Sequence, residues 1–382
     1  MNTPRCYEVG LNYVEILIRA RFEEVYAYAG RNSMNCLAAS IDDNEFLKQA
    51  RRCRLMGSSF VASVLEAAYR QLSQAPVTAQ IIHQWPGDPA AAALALRVNA
   101  ALHALARRGT PQHLASLYRF EHTDFDGAIG QAFADQDAFV AGWIGTPTQT
   151  NEVARAGALM SALMAAPLSR PMPFELLELG SSCGLNLNLA RYAYKLGPVS
   201  AGDPSSPVRI EPSWRGLAPR FSPVSIIAAR GIDLQPLCAS HTGDRERLLA
   251  FAWADQPARS RRLDQALQIA AEYPPRVDRG DATTWLARRV LEPQKAGTCR
   301  AVVHSMVLQY LHEDEREDIA ATMAAAGARA TEDRPLVRVS FEWTTDRREV
   351  QLRLTCWPTG TSVVLARCDP YGDWLDWSGA VA

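Results

Sequence analysis

The sequence predicts an α/β protein: a doubly wound, mostly parallel sheet with antiparallel edge strands, preceded by an all-helical N-terminal part. Three observations lead there. Up to residue 166, apolar residues recur three and four apart, as on helices. The stretch "PLSRPMP" (167–173) then breaks helix with three prolines. From there on, short apolar runs alternate with helical segments, the signature of a parallel sheet with crossover helices. The expected division is a helical domain over 1–166 and a sheet domain over 167–382.

In the first part, "NEFLKQARRCRLMGSSFVASVLEAAYRQL" (44–72) has helical apolar spacing. "DPAAAALALRVNAALHALARRG" (88–109) opens on Asp-Pro and closes on Arg-Arg-Gly, which suits the helix dipole and a glycine cap. "FDGAIGQAFADQDAFVAGWI" (125–144) and "NEVARAGALMSALMAA" (151–166) continue the pattern. In the second part "FELLEL" (174–179) reads as the first strand, with a helix expected near 185–196. A second strand is expected over 224–233 and helices over 244–254 and 256–273. "PRVDRGDA" (275–282) gives a third strand, followed by the helical "TTWLARRVL". "RAVVHSMVL" (300–308) gives a fourth, ahead of a helix over 313–327. "PLVRVSFEWT", "VQLRLTCWP" and "SVVLARCDP" are strand-like with no helices between them. Residues 197–223 hold six prolines and read as an insertion, either a short hairpin or a loop over the cleft.

The charge balance, 40 basic against 41 acidic residues, gives no electrostatic reason to expect a nucleic acid or an anionic membrane as partner. The clusters "RRCR" (51–54) and "RSRR" (259–262) read as solvated helix faces. Eight cysteines are scattered without C-x-x-C pairs or zinc-site spacing, so no metal is expected and reduced thiols are. The first residues lack the pattern of an export signal, and no apolar run approaches the ~20 residues a membrane helix needs. A cytoplasmic protein is expected.

The chemistry concentrates in "FELLELGSSCGLNLNL" (174–189). In an open parallel sheet, ligands bind beyond the carboxyl ends of the strands, where strand order reverses. Gly180 can adopt backbone angles closed to other residues, and small residues at 182 and 184 let a ligand approach the main chain. The spacing is E-x-G-x-S-x-G, not the G-x-G-x-x-G of a dinucleotide site, which disfavours a nicotinamide-dependent oxidoreductase. A tight strand–helix turn with no ligand is the plain alternative. Asp233, ending the second strand in "RGIDL", is placed to accept from ribose hydroxyls. Asp281, after the third strand, also fits an ordinary Gly-Asp turn. His304 ends the fourth strand and reads either as a proton acceptor at the cleft mouth or as a group that positions the next loop. Gln149, Asn151, Glu152 and Arg155 form an unusually polar first turn, either a solvated helix start or a lining for the cleft.

The turn Glu178–Gly184 resembles motif I of class I S-adenosylmethionine-dependent methyltransferases, (D/E)-x-G-x-G-x-G, with Ser182 in place of the middle glycine. The chain as a whole resembles an uncharacterised bacterial family, domain of unknown function 2332. The landmarks are "QTNEVARAGAL", "LLELGSSCGLNLNLARYAY", "RGIDLQPL", "FAWADQPARSRRLDQALQIA", "PPRVDRGDA", "VVHSMVLQYL" and "CDPYGDWLDW". Members usually carry alanines where this turn has Ser182 and Cys183, so the turn stays small. The resemblance implies a Rossmann-like methyltransferase fold behind a helical N-terminal part, with S-adenosylmethionine as cofactor. Glu178, Gly180, Ser182 and Gly184 would shape the methionine end of its site, Asp233 would hold the ribose and Asp281 the adenine. Asn186, His304 and the 149–155 cluster would face a small-molecule or peptide acceptor. The alternative is the same fold reused for ligand binding or scaffolding without methylation.

Overall fold

The computed structural model describes residues 44–218 and 222–379, so expectations for residues 1–43 lie outside the described residues. The chain forms two compact units. One runs to Thr148 and takes in Trp253–Gln256; the other comprises Gln149–Ala252 and Pro257–Ala382. The division thus falls ahead of the last N-terminal helical segment.

In the first unit the described elements are helices. Over 44–72 the helical pattern is cut by Gly57 at φ 79°, giving α1 (Glu45–Leu55) and α2 (Ser59–Gln71), capped by Asn44 and Ser58. α3 (Pro76–His83) has no cap of its own. Asp137 of α6 (Phe125–Ile144) takes the Val77 and Thr78 N–H groups at 2.8 and 2.9 Å instead. α4 (Leu94–Arg108) starts six residues after Asp88, because 88–93 is spent in turns that end with Ala93 in the left-handed region. Gly109 caps it at φ 77°, and its apolar body is buried on every face. α5 (Gln112–Tyr118) leads into α6, which kinks at Gln136.

The second unit opens with α7 (Ala156–Met164), a helix buried along its whole length, in which the lone polar side chain, Ser161, donates to the Gly157 carbonyl. Its core is a nine-stranded, mostly parallel sheet. β1 (Phe174–Leu179) is the middle strand of a five-stranded parallel part and pairs in parallel with β6 (Ile226–Asp233) and β8 (Cys299–Ser305). β7 (Val277–Arg279) lies outside β6, and β9 (Leu336–Trp343) outside β8, both parallel. Strand order therefore reverses between β1 and β8. A strand buried on both faces needs no strict alternation, which is why β1, FELLEL, keeps Leu176 and Leu177 adjacent and buried, with Glu178 buried beside them. β10 (Val350–Trp357) and β11 (Thr361–Cys368) continue the sheet as an antiparallel meander, as the absence of intervening helices predicted. α8 (Thr242–Phe251), α9 (Pro257–Glu272), α10 (Ala282–Arg289) and α11 (Glu313–Gly327) follow the strands as expected.

One element differs. The helix expected near 185–196 is a 3-10 segment, Leu185–Arg191, followed by a strand, β2 (Ala193–Leu196). Gly197 at φ 59° and Pro198 make a two-residue turn into β3 (Val199–Gly202), so a hairpin wins over helix propagation. The described part of the proline-rich insertion forms β3, β4 (Arg209–Ile210), which pairs with β2, and β5 (Ser213–Gly216). β5 joins the edge of the large sheet beside β12 (Trp374–Trp377), a strand the spacing did not announce. Among the described residues no helix is long and apolar enough to cross a membrane.

Candidate functional site

The turn after β1 stands beside the place where strand order reverses, between β1 and β8, and on its other side meets the end of β6. Gly180, Ser182 and Gly184 all take left-handed backbone, at φ 68°, 52° and 71°. Only glycine does so at no steric cost, and Ser182 is held there by its neighbours. Its N–H donates to Asp233 Oδ2 at 2.7 Å, and its hydroxyl donates to Gln149 Oε1. Asp233 also receives the Gln235 N–H at 2.9 Å, and the Ser181 N–H reaches the Ile232 carbonyl at 3.0 Å. One carboxylate therefore fastens the turn to the strand end beside it. Gln149 closes the ring by donating to the Gln235 carbonyl at 3.4 Å.

Glu178 lies beneath this turn and is 2% exposed. Its Oε1 accepts from Asn186 Nδ2 at 2.8 Å, whereas Glu178 Oε2 and Asn186 Oδ1 are buried with no hydrogen-bond partner. Burial pushes the carboxyl up to about 8, against the pull of hydrogen bonds from Asn186 and Ser181 and with a further push from the Asp233 charge. Glu178 Oε2, an acceptor once the carboxyl ionises, and Asn186 Oδ1 are thus left unclaimed in a water-poor setting, where leaving them unmatched is unfavourable.

The faces of the two glycines are covered by the protein. A Cβ at Gly180 would come within 2.5 Å of Val307 Cγ2, and one at Gly184 within 2.7 to 2.9 Å of Pro275 and Val277. The glycines are therefore needed for close packing as well as for their backbone angles.

Asp281 caps α10: its Oδ1 accepts the Thr284 N–H at 2.8 Å and the Thr283 hydroxyl at 2.5 Å, which holds the carboxyl below its usual range despite partial burial. The strand pairing places it two positions after Arg279, the partner of Asp233. His304 does not stand at an open mouth. It is fully buried, with Nδ1 2.7 Å from Glu342 Oε1 and Nε2 accepting from Arg338 Nε at 3.1 Å. Burial and the Arg338 charge push the imidazole down, favouring the neutral form, although Glu342 pulls the other way. Glu342 Oε1 also receives the N–H groups of Val307 and Leu308, at 3.0 and 3.4 Å. His304 and the segment carrying Val307 thus share the Glu342 carboxylate.

The 149–155 segment is not a solvated helix start. Gln149, Glu152 and Arg155 are buried, and a 3-10 turn, Val153–Arg155, precedes α7. Glu152 Oε2 receives Arg259 Nε at 2.7 Å, so Arg259, in the cluster expected on a solvated face, is buried in an ion pair and stacks 4.0 Å over Tyr371. The other cluster behaves as expected: Arg51, Arg52 and Arg54 are exposed around buried Cys53.

The model of a family described as "Uncharacterized protein conserved in bacteria (DUF2332)" matches residues 43–377. The chain belongs to that family. No curated protein and no solved structure matches it. The matched span holds the whole constellation of Gln149, Glu178, the glycine turn, Asp233, Asp281 and His304, and the family's description names no reaction.

The structure brings Gln149, Ser182 and Asp233 into direct contact and joins Glu178 to Asn186, while His304 belongs to a separate buried relay. Sequence reasoning missed Gln235, Val307, Arg259, Arg338 and Glu342. Glu342 carried a signal, a lone acid inside the apolar strand "VRVSFEW"; the others carried none. Among the described residues no group of three or more His, Cys, Asp or Glu side chains is arranged to hold a metal ion.

Proposed function

We propose that the chain is an S-adenosylmethionine-dependent methyltransferase acting on a small-molecule or peptide acceptor, built on a Rossmann-like fold. The order third–second–first–fourth–fifth along the parallel strands β7, β6, β1, β8 and β9 supports the fold reading, since doubly wound sheets begin with that order. The observation that carries the function is the pair of buried, unmatched acceptors, Glu178 Oε2 and Asn186 Oδ1, beneath a turn of three left-handed residues at the switch point. They suit the amino group of the cofactor's methionine end, whose N–H donors would meet both oxygens. Asp233 already holds two backbone N–H groups, and a carboxylate has lone pairs left for ribose hydroxyls. Asp281 would face the adenine with the oxygen its cap leaves over. When bound, the cofactor supplies a methyl group activated by its sulfonium. The chain's contribution is to position the partners, which by itself accounts for large rate gains in such transfers. On this reading Gln149 holds the turn, His304 and Glu342 fix the segment over it, and Asn151, Glu152 and Arg155 serve the acceptor.

The test is calorimetry. Binding of S-adenosylmethionine in the micromolar range that is lost in Asp233→Ala supports the reading, whereas no heat at millimolar ligand ends it. A second reading, the same fold used for binding or scaffolding without methylation, is favoured by the covered glycines, since Val307, Pro275 and Val277 stand where a ligand would rest. Native mass spectrometry of freshly purified protein separates the two, because only the first expects an adenosyl ligand carried through purification.

A further inference from the structure

An exposed thiol stands beside the glycine turn. Of the six described cysteines five are buried, and Cys238, in the loop after β6, is exposed. Cys183, in the turn after β1, is 1% exposed. The turn and the loop run side by side. The Leu237 N–H donates to the Ser182 carbonyl at 3.2 Å, and the Ala239 N–H acts as a donor on the Cys183 sulfur. Cys238 is thus bracketed by two contacts, one to Cys183 and one to the residue before it. Its own main chain is held as well: its N–H donates to Asp244 Oδ2 at 2.9 Å and its carbonyl accepts the His241 N–H at 3.0 Å. A disulfide requires Cα atoms roughly 4.4–6.8 Å apart, the separation of chain segments joined by such hydrogen bonds. Cys299 and Cys356 provide the contrast. They lie on β8 and β10 with β9 between them, roughly 9–10 Å apart by strand spacing, which is beyond that reach.

We propose that Cys183 and Cys238 are an oxidation site, forming a reversible disulfide when the chain meets hydrogen peroxide. The roles follow from exposure. Cys238 is reached first: its sulfur attacks one peroxide oxygen, the O–O bond breaks, and a sulfenic acid and one water form. The Cys183 sulfur then attacks the Cys238 sulfur. The S–O bond breaks, and the Cys183 proton leaves with that oxygen as a second water. Two thiols lose two electrons in all, and one peroxide becomes two waters. Burial pushes the Cys183 thiol up to about 12, so it serves as the second thiol and not the first. The link ties the loop carrying Gln235 to the glycine turn, close to the Ser182–Asp233 bond that already fastens them. It stands whether or not the turn binds a cofactor.

The test uses the whole chain, fully reduced, with hydrogen peroxide as probe. Equimolar peroxide is followed by alkylation of the remaining thiols, proteolysis and mass spectrometry. The peptides carrying Cys183 and Cys238 should be found joined, two hydrogens lighter than the separate pair, and dithiothreitol should restore both thiols. Cys183→Ala should leave Cys238 as the sulfenic acid, trapped by dimedone in greater yield than in the wild type. In glutathione buffers the folded chain should hold the disulfide ~30-fold or more tightly than the chain in urea, the ratio that a disulfide's usual stabilisation implies. Cys183 still open to alkylation while Cys238 goes on to the sulfinic acid overturns the proposal, as does a link between Cys238 residues of two chains. Equal dimedone yields in the wild type and Cys183→Ala also overturn it. Should Cys183→Ala not fold, the glutathione equilibrium of the wild type decides: a ratio of that size supports the pair, and a disulfide no tighter in the folded chain than in urea refutes it.

Discussion

Replacing Glu178 by glutamine removes one proton equilibrium and almost nothing else. The carboxyl lies 2% exposed, and burial moves its midpoint from 4.5 to about 8. The folded state therefore prefers the protonated form. The stability this contributes is fully present below pH 4.5 and is lost as pH rises through about 8. At about 1.4 kcal/mol per pH unit, that interval corresponds to ~5 kcal/mol. The amide introduced by Glu178→Gln would keep the bond from Asn186 Nδ2 and add an N–H donor for the unmatched Asn186 Oδ1. Urea unfolding of wild type and Glu178→Gln across this range should give free energies that agree at the acid end. Above pH 8 the variant should lead by several kcal/mol. A difference that stays flat across the range refutes the argument, since the side chain would then titrate as if in water. The same ionisation ties into function: a ligand ammonium prefers the charged carboxylate, so its binding near neutrality should release about one proton. Calorimetry in buffers of different ionisation heat reads that release directly, and a heat that does not change with buffer counts against an amino group beside Glu178.

Three further outcomes follow from the packing. Gly180→Ala combines left-handed backbone with a Cβ 2.5 Å from Val307, and should cost about 2–4 kcal/mol in urea unfolding; the double variant with Val307→Ala should recover part of that. His304→Ala strips Glu342 of a buried partner and leaves a cavity, with an expected loss of about 2–4 kcal/mol and faster hydrogen exchange at the Val307 and Leu308 amides. Asp281→Ala should cost about 1 kcal/mol as a lost helix cap. If it also abolishes S-adenosylmethionine binding while Asp281→Asn retains it, the residue serves the adenine as well as the helix.

Much of this architecture was legible because each signal is local. β1, β6 and β8 announced themselves as short runs rich in apolar residues ahead of small or polar ones, and α11 begins and ends where its acidic first turn and closing glycine put it. The 185–196 segment was not legible. "LNLNLARYAYKL" has apolar spacing that suits a helix, and only the Gly197-Pro198 turn and the later strands that pair with it decide for a hairpin. Within the site, Asp233 and the turn residues were visible from their place at strand ends. The burial of Arg259 was not, because an arginine in "RSRR" gives no sign of a carboxylate 107 positions away. His304 shows the same limit: a strand-ending histidine announces a polar role, and only the facing strand, through Arg338 and Glu342, determines which.

The two functional readings part at Val307. Its side chain lies where a Cβ of Gly180 would be, so the glycine either admits Val307 as a permanent packing partner or admits a ligand when that side chain moves. Under the packing reading Val307→Ala only removes two methyl groups from a partly buried contact, lowering stability by about 1–3 kcal/mol without changing ligand affinity. Under the ligand reading the covered turn is a resting state that lowers apparent affinity by the fraction of molecules open, and truncation raises that fraction. S-adenosylmethionine should then bind Val307→Ala more tightly than wild type, by about 10-fold for each 1.4 kcal/mol by which the covered state was favoured. Calorimetry on both proteins, with urea unfolding as the stability control, gives a clear separation. An affinity that is unchanged or weaker in Val307→Ala assigns Gly180 to packing and leaves the buried Glu178–Asn186 pair as the remaining reason to place a ligand there.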